Sequence, residues 1–260
     1  MTHPATSQPI ATTVFSTALS PQPTPPSLSA FGVDASSIHM FSEWHVSTPV
    51  RQRSVLQALA DIWARHPWPS DLHGYYVFAS LDGSTLLHCS QWTGKGAFDQ
   101  FVLSQRDAQI ERVEAAAPGA LRDGLGRFRL YRSYRASGVA LHPGCIVIER
   151  AQANSLEAQQ QWIDAICDAL EGEKAAGLVA AYCFACADGR VVDVEEWSSE
   201  AAHFEAVENR ERLAGTAHEP WNRVQAMPGI TQRETQRFYL PIDIGSVARA
   251  KCQAIGGQHD

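Results

Sequence analysis

The chain says one thing twice. Residues 86–102 read LLHCSQWTGKGAFDQFV, and residues 191–207 read VVDVEEWSSEAAHFEAV. Each copy is a short apolar alternation, a Trp (Trp92, Trp197), small or polar residues suited to a helix start, then a helix-like run. An aromatic strand-like segment ending in Asp-Gly precedes each, at Asp82-Gly83 and Asp188-Gly189. Asp-Gly between two alternating runs predicts a hairpin, with a type I′ turn as the expected form. A long run stopping at Pro-Gly follows each, at Pro118-Gly119 and Pro228-Gly229, and then one more strand. Two copies of this length mean one supersecondary unit built twice, because solenoids need three or more.

In the first copy, Ile38, Met40, Trp44 and Val46 are spaced as one strand face, with Phe41, Glu43 and His45 on the other. Thr48 reads as an N-cap and Pro49 as the first helical residue. Val55, Leu56, Leu59, Ile62 and Trp63 make a helical stripe that His66-Pro67 ends. Strands are expected over 75–81 and 86–92, a helix over 97–117 and a fourth strand over 127–136. The second copy gives strands over 145–151, 178–187, 190–197 and 231–240. Its helices are expected over 156–175, capped by Asn154 or Ser155, and from Ser198 or Ser199 towards Met227 with a break near Gly215. Each copy is a β-α-β-β-α-β, ferredoxin-like unit. The expected fold class is therefore α+β, with two such units, 36–140 and 143–243, packed sheet to sheet. Leu87, Cys89, Val192 and Val194 fall on the faces that would meet. Residues 1–35 and 244–260 read as tails, the latter with a short exposed helix as the alternative.

Composition narrows the function classes. A formal charge of −7 in 260 residues argues against nucleic acid as the main partner, because counterion release needs a basic face. No stretch approaches the roughly 20 apolar residues of a membrane span, and the N-terminus lacks a signal-peptide pattern, so a cytoplasmic protein is expected. Six cysteines in so long a chain are not a disulfide framework. Cys183 and Cys186 lie in a strand pattern, where residues three apart face opposite sides, so they read as small buried hydrophobes rather than a metal or redox pair. Asp188, Asp193, Glu195, Glu196 and His203 form an acidic cluster without metal-ligand spacing; it reads as a solvated face, and no metal is expected.

Alternation in the third strand puts Leu86, His88, Ser90 and Trp92 on one side; in the second copy it groups Val191, Asp193, Glu195 and Trp197. Polar residues beside a Trp are what a pocket requires, and what a partly solvated edge also gives.

These features together resemble the antibiotic biosynthesis monooxygenase domain: the tandem unit, its Asp-Gly hairpin, the Trp-Ser/Thr run and the Pro-Gly before the last strand. The resemblance implies the dimeric α/β-barrel fold, here with both halves in one chain, and an oxygenase acting on an aromatic polyketide with O2. It also implies a monomeric pseudo-dimer or a homodimer. Relatives of about this length, the angucycline ring-opening oxygenases, imply reduced flavin as a diffusible co-substrate and hence a flavin reductase as partner. In anthrone oxygenases of this family an Asn lies four residues before the Trp and a Tyr six after it. The corresponding positions here are His88 and Phe98, and Asp193 and His203, so the Trp matches twice and the other two depart.

An electron-rich phenol or hydroquinone reacts with oxygen once deprotonated, so its site needs a base, aromatic walls and a cation for the anion. An imidazole, with an ordinary pKa of about 6.5, suits the first part. His88, His45 and His73 are the candidate catalytic histidines, with Trp92 beside His88. Trp63, Tyr75, Tyr76 and Phe98 are candidate substrate walls, and Arg129, with Arg127, a candidate anion holder. No dinucleotide-binding or P-loop glycine pattern occurs, so no tightly bound cofactor is expected. A non-oxidative, cyclase-like or ligand-binding module of the same fold stays open beside the oxygenase.

Overall fold

The computed structural model describes residues 37–137, 142–213 and 219–256. The first unit runs β1 (Ile38–His45), α1 (Pro49–Ala64), β2 (Leu72–Ala79), β3 (Thr85–Trp92), α2 (Lys95–Phe101), a π-helical turn (Val102–Arg106), α3 (Asp107–Ala116) and β4 (Leu121–Arg135). The second runs β5 (Cys145–Ala153), α4 (Leu156–Glu173), β6 (Leu178–Cys186), β7 (Arg190–Trp197), α5 (Glu200–Leu213), α6 (Glu219–Ala226) and β8 (Ile230–Phe238). A two-residue strand, β9 (Ile242–Asp243), and α7 (Ile244–Gly256) follow. The architecture is the expected α+β fold of two β-α-β-β-α-β units.

The helix starts follow their sequence signals. Thr48 and Ser155 are extended, and each side chain accepts from the backbone N–H three residues on, with Pro49 at the head of α1. Four residues past each cap stands a buried glutamine. Gln52 donates to the carbonyls of Ser80 and Thr85 at 3.1 and 2.9 Å; Gln159 donates to those of Cys186 and Arg190 at 2.8 Å each. Each first helix is thereby fastened to the hairpin of its own unit.

The Asp-Gly hairpins form, with a turn other than type I′. Gly83 and Gly189 have φ of 74° and 91°, and neither Asp82 nor Asp188 joins them at positive φ. Each glycine N–H closes a four-residue turn onto Ser80 or Cys186. The aspartate instead accepts from the N–H two residues on, Ser84 or Arg190, which holds it on the ordinary side of φ.

The strands lie in the order β8-β5-β7-β6-β4-β1-β3-β2-β9, every adjacent pair antiparallel. β4 pairs with β6, joining the units, and a bridge between Ser80 and Phe238 joins the ends of β2 and β8. Leu81 N–H to Arg237 O and Tyr239 N–H to Ala79 O, at 3.0 and 2.9 Å, extend that seam. The eight long strands thus close on themselves. Three cores result: one between each sheet and its helices, and one inside the ring of strands. Leu87, Cys89, Val192 and Val194 all lie in the inner core, as strand alternation requires. Cys183 belongs to a helix-side core and Cys186 to the inner one, on opposite faces of β6 as their spacing predicts. Arg150 of β5 ion-pairs with Glu43 of β1 across the units, and Arg132 of β4 reaches Asp164 and Asp168 of α4 at 3.0 and 3.1 Å.

The segment 244–260, expected as a tail, is helical over Ile244–Gly256 and follows the short strand β9. β9 pairs with β2 at Tyr76 and Val77, and α7 packs on α1 with Ile244 and Ala248 buried in the first helix-side core. Their spacing of four residues gives the helix one apolar face, too short a signal to separate from an exposed helix in sequence. Among the described residues no helix is long and apolar enough to cross a membrane.

Candidate active site

The first unit encloses a cavity of about 100 Å³ between its sheet and its helices. β1 contributes Met40, Ser42 and Trp44; β3 contributes His88, Ser90 and Trp92; Tyr75 comes from β2 and Trp63 from α1. The register sets this floor: Ser42 faces His88 and Met40 faces Ser90 across the β1–β3 ladder. Over it lie Phe98 and Phe101 of α2, Arg106 of the π turn, and Gln109 and Ile110 of α3. Leu125 of β4, an exposed apolar residue, stands with Arg106 at the rim. A π-helical turn widens the helix locally and shifts the residues that follow it, which is how Phe101 and Arg106 come to line one space.

The walls are a cage of rings. Trp92 meets Phe98 edge-on at 5.6 Å and Phe101 at 5.0 Å, while Trp63 lies 5.5 Å from Tyr75 and 6.2 Å from Phe101. His88 lies against Trp44, ring centroids 4.2 Å apart. Trp92 donates its indole N–H to Ser90 Oγ at 2.9 Å.

His88 is the polar centre of this cage. It is 4 % exposed, and its Nδ1 is 2.7 Å from the Tyr75 hydroxyl. Its Nε2 has no hydrogen-bond partner among the described residues. Burial, helped by the nearby Arg122 guanidinium, pulls its pKa down to about 3, so the imidazole is neutral at physiological pH. Burial also raises the Tyr75 pKa, so the phenol keeps its proton. If that proton is donated to Nδ1, the remaining ring N–H sits on Nε2, on a residue facing the cavity. In that tautomer His88 is a neutral hydrogen-bond donor buried among aromatic faces, with the Arg122 guanidinium 4.6 Å from the Trp44 ring as the nearby positive charge.

Of the residues expected from sequence, the fold brings His88, Trp92, Trp63, Tyr75 and Phe98 together around this cavity. The others lie elsewhere. His45 is exposed at the end of β1, its Nδ1 3.8 Å from Glu43, because it alternates with Trp44. His73 is exposed beside buried Leu72 on β2 for the same reason. Tyr76, next to Tyr75, faces the inner core. Arg129 is exposed on β4 opposite Ala185 of β6, and Arg127 reaches Asp99 of α2 at 3.1 Å; neither lines the cavity. Sequence reasoning missed Trp44, Ser42, Phe101 and Arg106 as site residues. Trp44 and Ser42 needed the β1–β3 register, and Phe101 was signalled only by its three-residue spacing from Phe98. The π turn that positions Arg106 has no signature in the residues.

The acidic cluster of the second unit is not a solvated face. Asp193, Glu195, Glu196 and His203 are buried, and only Asp188, at the hairpin, is exposed. α5 and α6 cover the face of β7 that carries Asp193 and Glu195, and the other face of β7 turns into the ring of strands.

No protein-family model and no curated protein sequence matches the chain. Solved structures do. An anthrone oxidase-like protein superposes with a TM-score of 0.64 at 11 % identity, over 81 % of this chain and 94 % of its own. A proposed monooxygenase from Fusobacterium nucleatum gives 0.53 at 11 % identity, over 81 % and 95 %. A mutant chlorite dismutase from Candidatus Nitrospira defluvii gives 0.51 at 10 % identity, over 86 % and 98 %. At such identities the likeness is one of fold.

Proposed function

We propose that the chain is an oxygenase that oxidises an electron-rich phenol or hydroquinone ring of an aromatic polyketide with O2, in the cavity of the first unit. The observation that carries this reading is His88: a buried, neutral imidazole with an unpartnered nitrogen inside an aromatic cage. A planar ring stacks between such faces, and its oxygen meets Nε2. A donor there lowers the cost of phenolate or enolate character on the ring, the form that gives electrons to oxygen. With its low pKa, His88 is a weak base, so it acts by holding the oxygen rather than by taking its proton.

The electron balance closes without a further reductant when a ring CH2 becomes a C=O. The substrate supplies four electrons, one oxygen atom enters it and the other leaves as water. A cavity of about 100 Å³ is on the scale of one aromatic ring, so a larger substrate extends past Leu125 and Arg106. It has no room for an isoalloxazine beside the substrate. Reduced flavin, and the reductase that would supply it, therefore enters this reading only as a diffusible reductant. Likeness to the anthrone oxidase-like fold supports the reading, as does the resemblance carried by the two Trp motifs.

Oxygen uptake by the full-length protein with a hydroxyanthrone, with and without a flavin reductase system, tests it. Uptake stoichiometric with quinone formation is the expected result. Binding of the anthrone without uptake in either arm would instead identify a non-oxidative, ligand-binding module.

A further inference from the structure

The second unit repeats the cavity but not its chemistry. Where Ser42 faces His88, Glu149 faces Asp193; where Met40 faces Ser90, Val147 faces Glu195. Phe98, six residues after Trp92, corresponds to His203, six after Trp197. Over these positions, between β5, β7, β8 and helices α4, α5 and α6, lies a cavity of about 310 Å³.

Its charges are divided. Asp193, 1 % exposed, has one weak donor, the Cys183 thiol at 3.4 Å, and Glu195 accepts from the Trp197 indole at 2.7 Å. Neither forms an ion pair among the described residues, whereas their neighbour Glu149 is held by Arg233 at 2.7 Å. On β8, Arg237 gives its Nε–H to His203 Nδ1 at 3.2 Å and lies 3.8 Å from the Phe204 ring. It too has no ion pair among the described residues. Val147 separates the two signs, facing Glu195 on one side and Arg237 on the other, so their backbones stand about two strand spacings, roughly 10 Å, apart. The buried carboxyls and the half-buried guanidinium thus share a cavity without pairing with one another. Burial, with Glu195 and Glu149 alongside, pushes the Asp193 carboxyl well up, so a proton or a cation beside it is favoured. A ligand ammonium would supply that cation. Ile166, Val207 and Trp221 give the wall an apolar part that suits an apolar side chain, while Arg210, which also lines the cavity near Glu195, is held by Glu173 at 2.8 Å.

We propose that this cavity is a second small-molecule site, for a zwitterion of amino-acid type whose ammonium meets Asp193 and Glu195 and whose carboxylate meets Arg237. The site is independent of the oxidation assigned to the first unit, and its test does not use that reaction.

Isothermal titration of the full-length protein with the standard L-amino acids, one at a time, is the experiment. An apolar amino acid should bind with one site per chain, and its decarboxylated amine and deaminated acid should each bind at least about 10-fold more weakly. Asp193→Asn and Arg237→Gln should each weaken binding by about 10- to 100-fold, the cost of one hydrogen bond to a charged group. Trp92→Phe should leave it unchanged. Circular dichroism of each variant separates lost binding from lost fold, and Glu195→Gln serves if Asp193→Asn does not fold. No heat with any amino acid up to about 10 mM would overturn the proposal. So would an amine binding as tightly as its parent zwitterion, or full affinity in the folded variants.

Discussion

His88 and Asp193 are the same position of one unit built twice. Each stands four residues before a buried Trp on the third strand of its unit, and each faces the first strand, at Ser42 or at Glu149. The backbone frame is shared, and the residues hung on it make one aromatic cavity with a single neutral imidazole and one cavity of carboxyls and guanidiniums.

The proposed oxidation leaves His88 two possible roles, and its low pKa favours holding the substrate oxygen over taking its proton. Holding a substrate oxygen needs a donor, which an amide also supplies; removing a proton needs a base, which an amide cannot be. His88→Asn is therefore expected to keep turnover within about 5-fold, while His88→Ala loses about 10- to 100-fold, the worth of one charge-assisted hydrogen bond. Steady-state oxygen uptake by the two variants measures this. If Asn is as poor as Ala, His88 takes the proton.

Trp92 forms the wall of the first cavity and Trp197 lies buried in the second unit's core. A soluble hydroxyanthraquinone should quench tryptophan emission, and Trp92→Phe should reduce both the amplitude and the affinity. Trp197→Phe should change neither by more than about 2-fold, since it touches no part of that cage. Equal effects in both variants would rule out a single first-unit site for the aromatic.

Acid should weaken the fold through its buried histidines. The pKa of His88 falls from 6.5 to about 3 on folding, and those of His39 and His203 to about 4, all chiefly by burial. Between those values and 6.5 the unfolded chain binds protons that the folded chain does not, so stability falls as pH falls through that window. Asp193 and Glu195, raised by burial, act in the opposite sense, because the folded chain then holds the protons. Replacing His88 by Asn isolates one contribution. Relative to pH 7, the wild type should lose about 2.5 kcal/mol more than the variant near pH 4.5, measured by urea unfolding.

Gln52 and Gln159 should be the polar fasteners of the two hairpins. Alanine at either position removes two donors from buried carbonyls and should cost about 1–3 kcal/mol. Gln52→Glu keeps the shape but turns an oxygen towards Ser80 O and Thr85 O. It should cost more than alanine at neutral pH and recover part of the loss in acid, where a protonated carboxyl donates again. Thermal unfolding at two pH values checks both.

Much of the fold was legible because it rests on local rules. Period-2 alternation sorted Leu87 from His88 and Val192 from Asp193, and the caps at Thr48 and Ser155 started helices where they stand. The repeat itself announced two units whose bare sheet faces needed each other. The same rules placed Trp92 beside His88, since both lie on one strand face. They also contained the answer for Tyr76, whose neighbour Tyr75 faces the other way, but not which of the two looked into a cavity. That choice depends on which side of β2 the helices cover. Register belongs to the tertiary structure as well: Ser42 comes to His88, and Glu149 to Asp193, only when β1 and β5 slide into their ladders. The burial of Asp193 and Glu195 was hidden for a related reason, because charges on a strand read as solvated until α5 and α6 are seen to lie over them. The chain thus determined by itself which residues share a face. Only the packing of helices on sheets, with the strand registers, decided which faces enclose a space, because enclosure is a property of surfaces far apart in sequence.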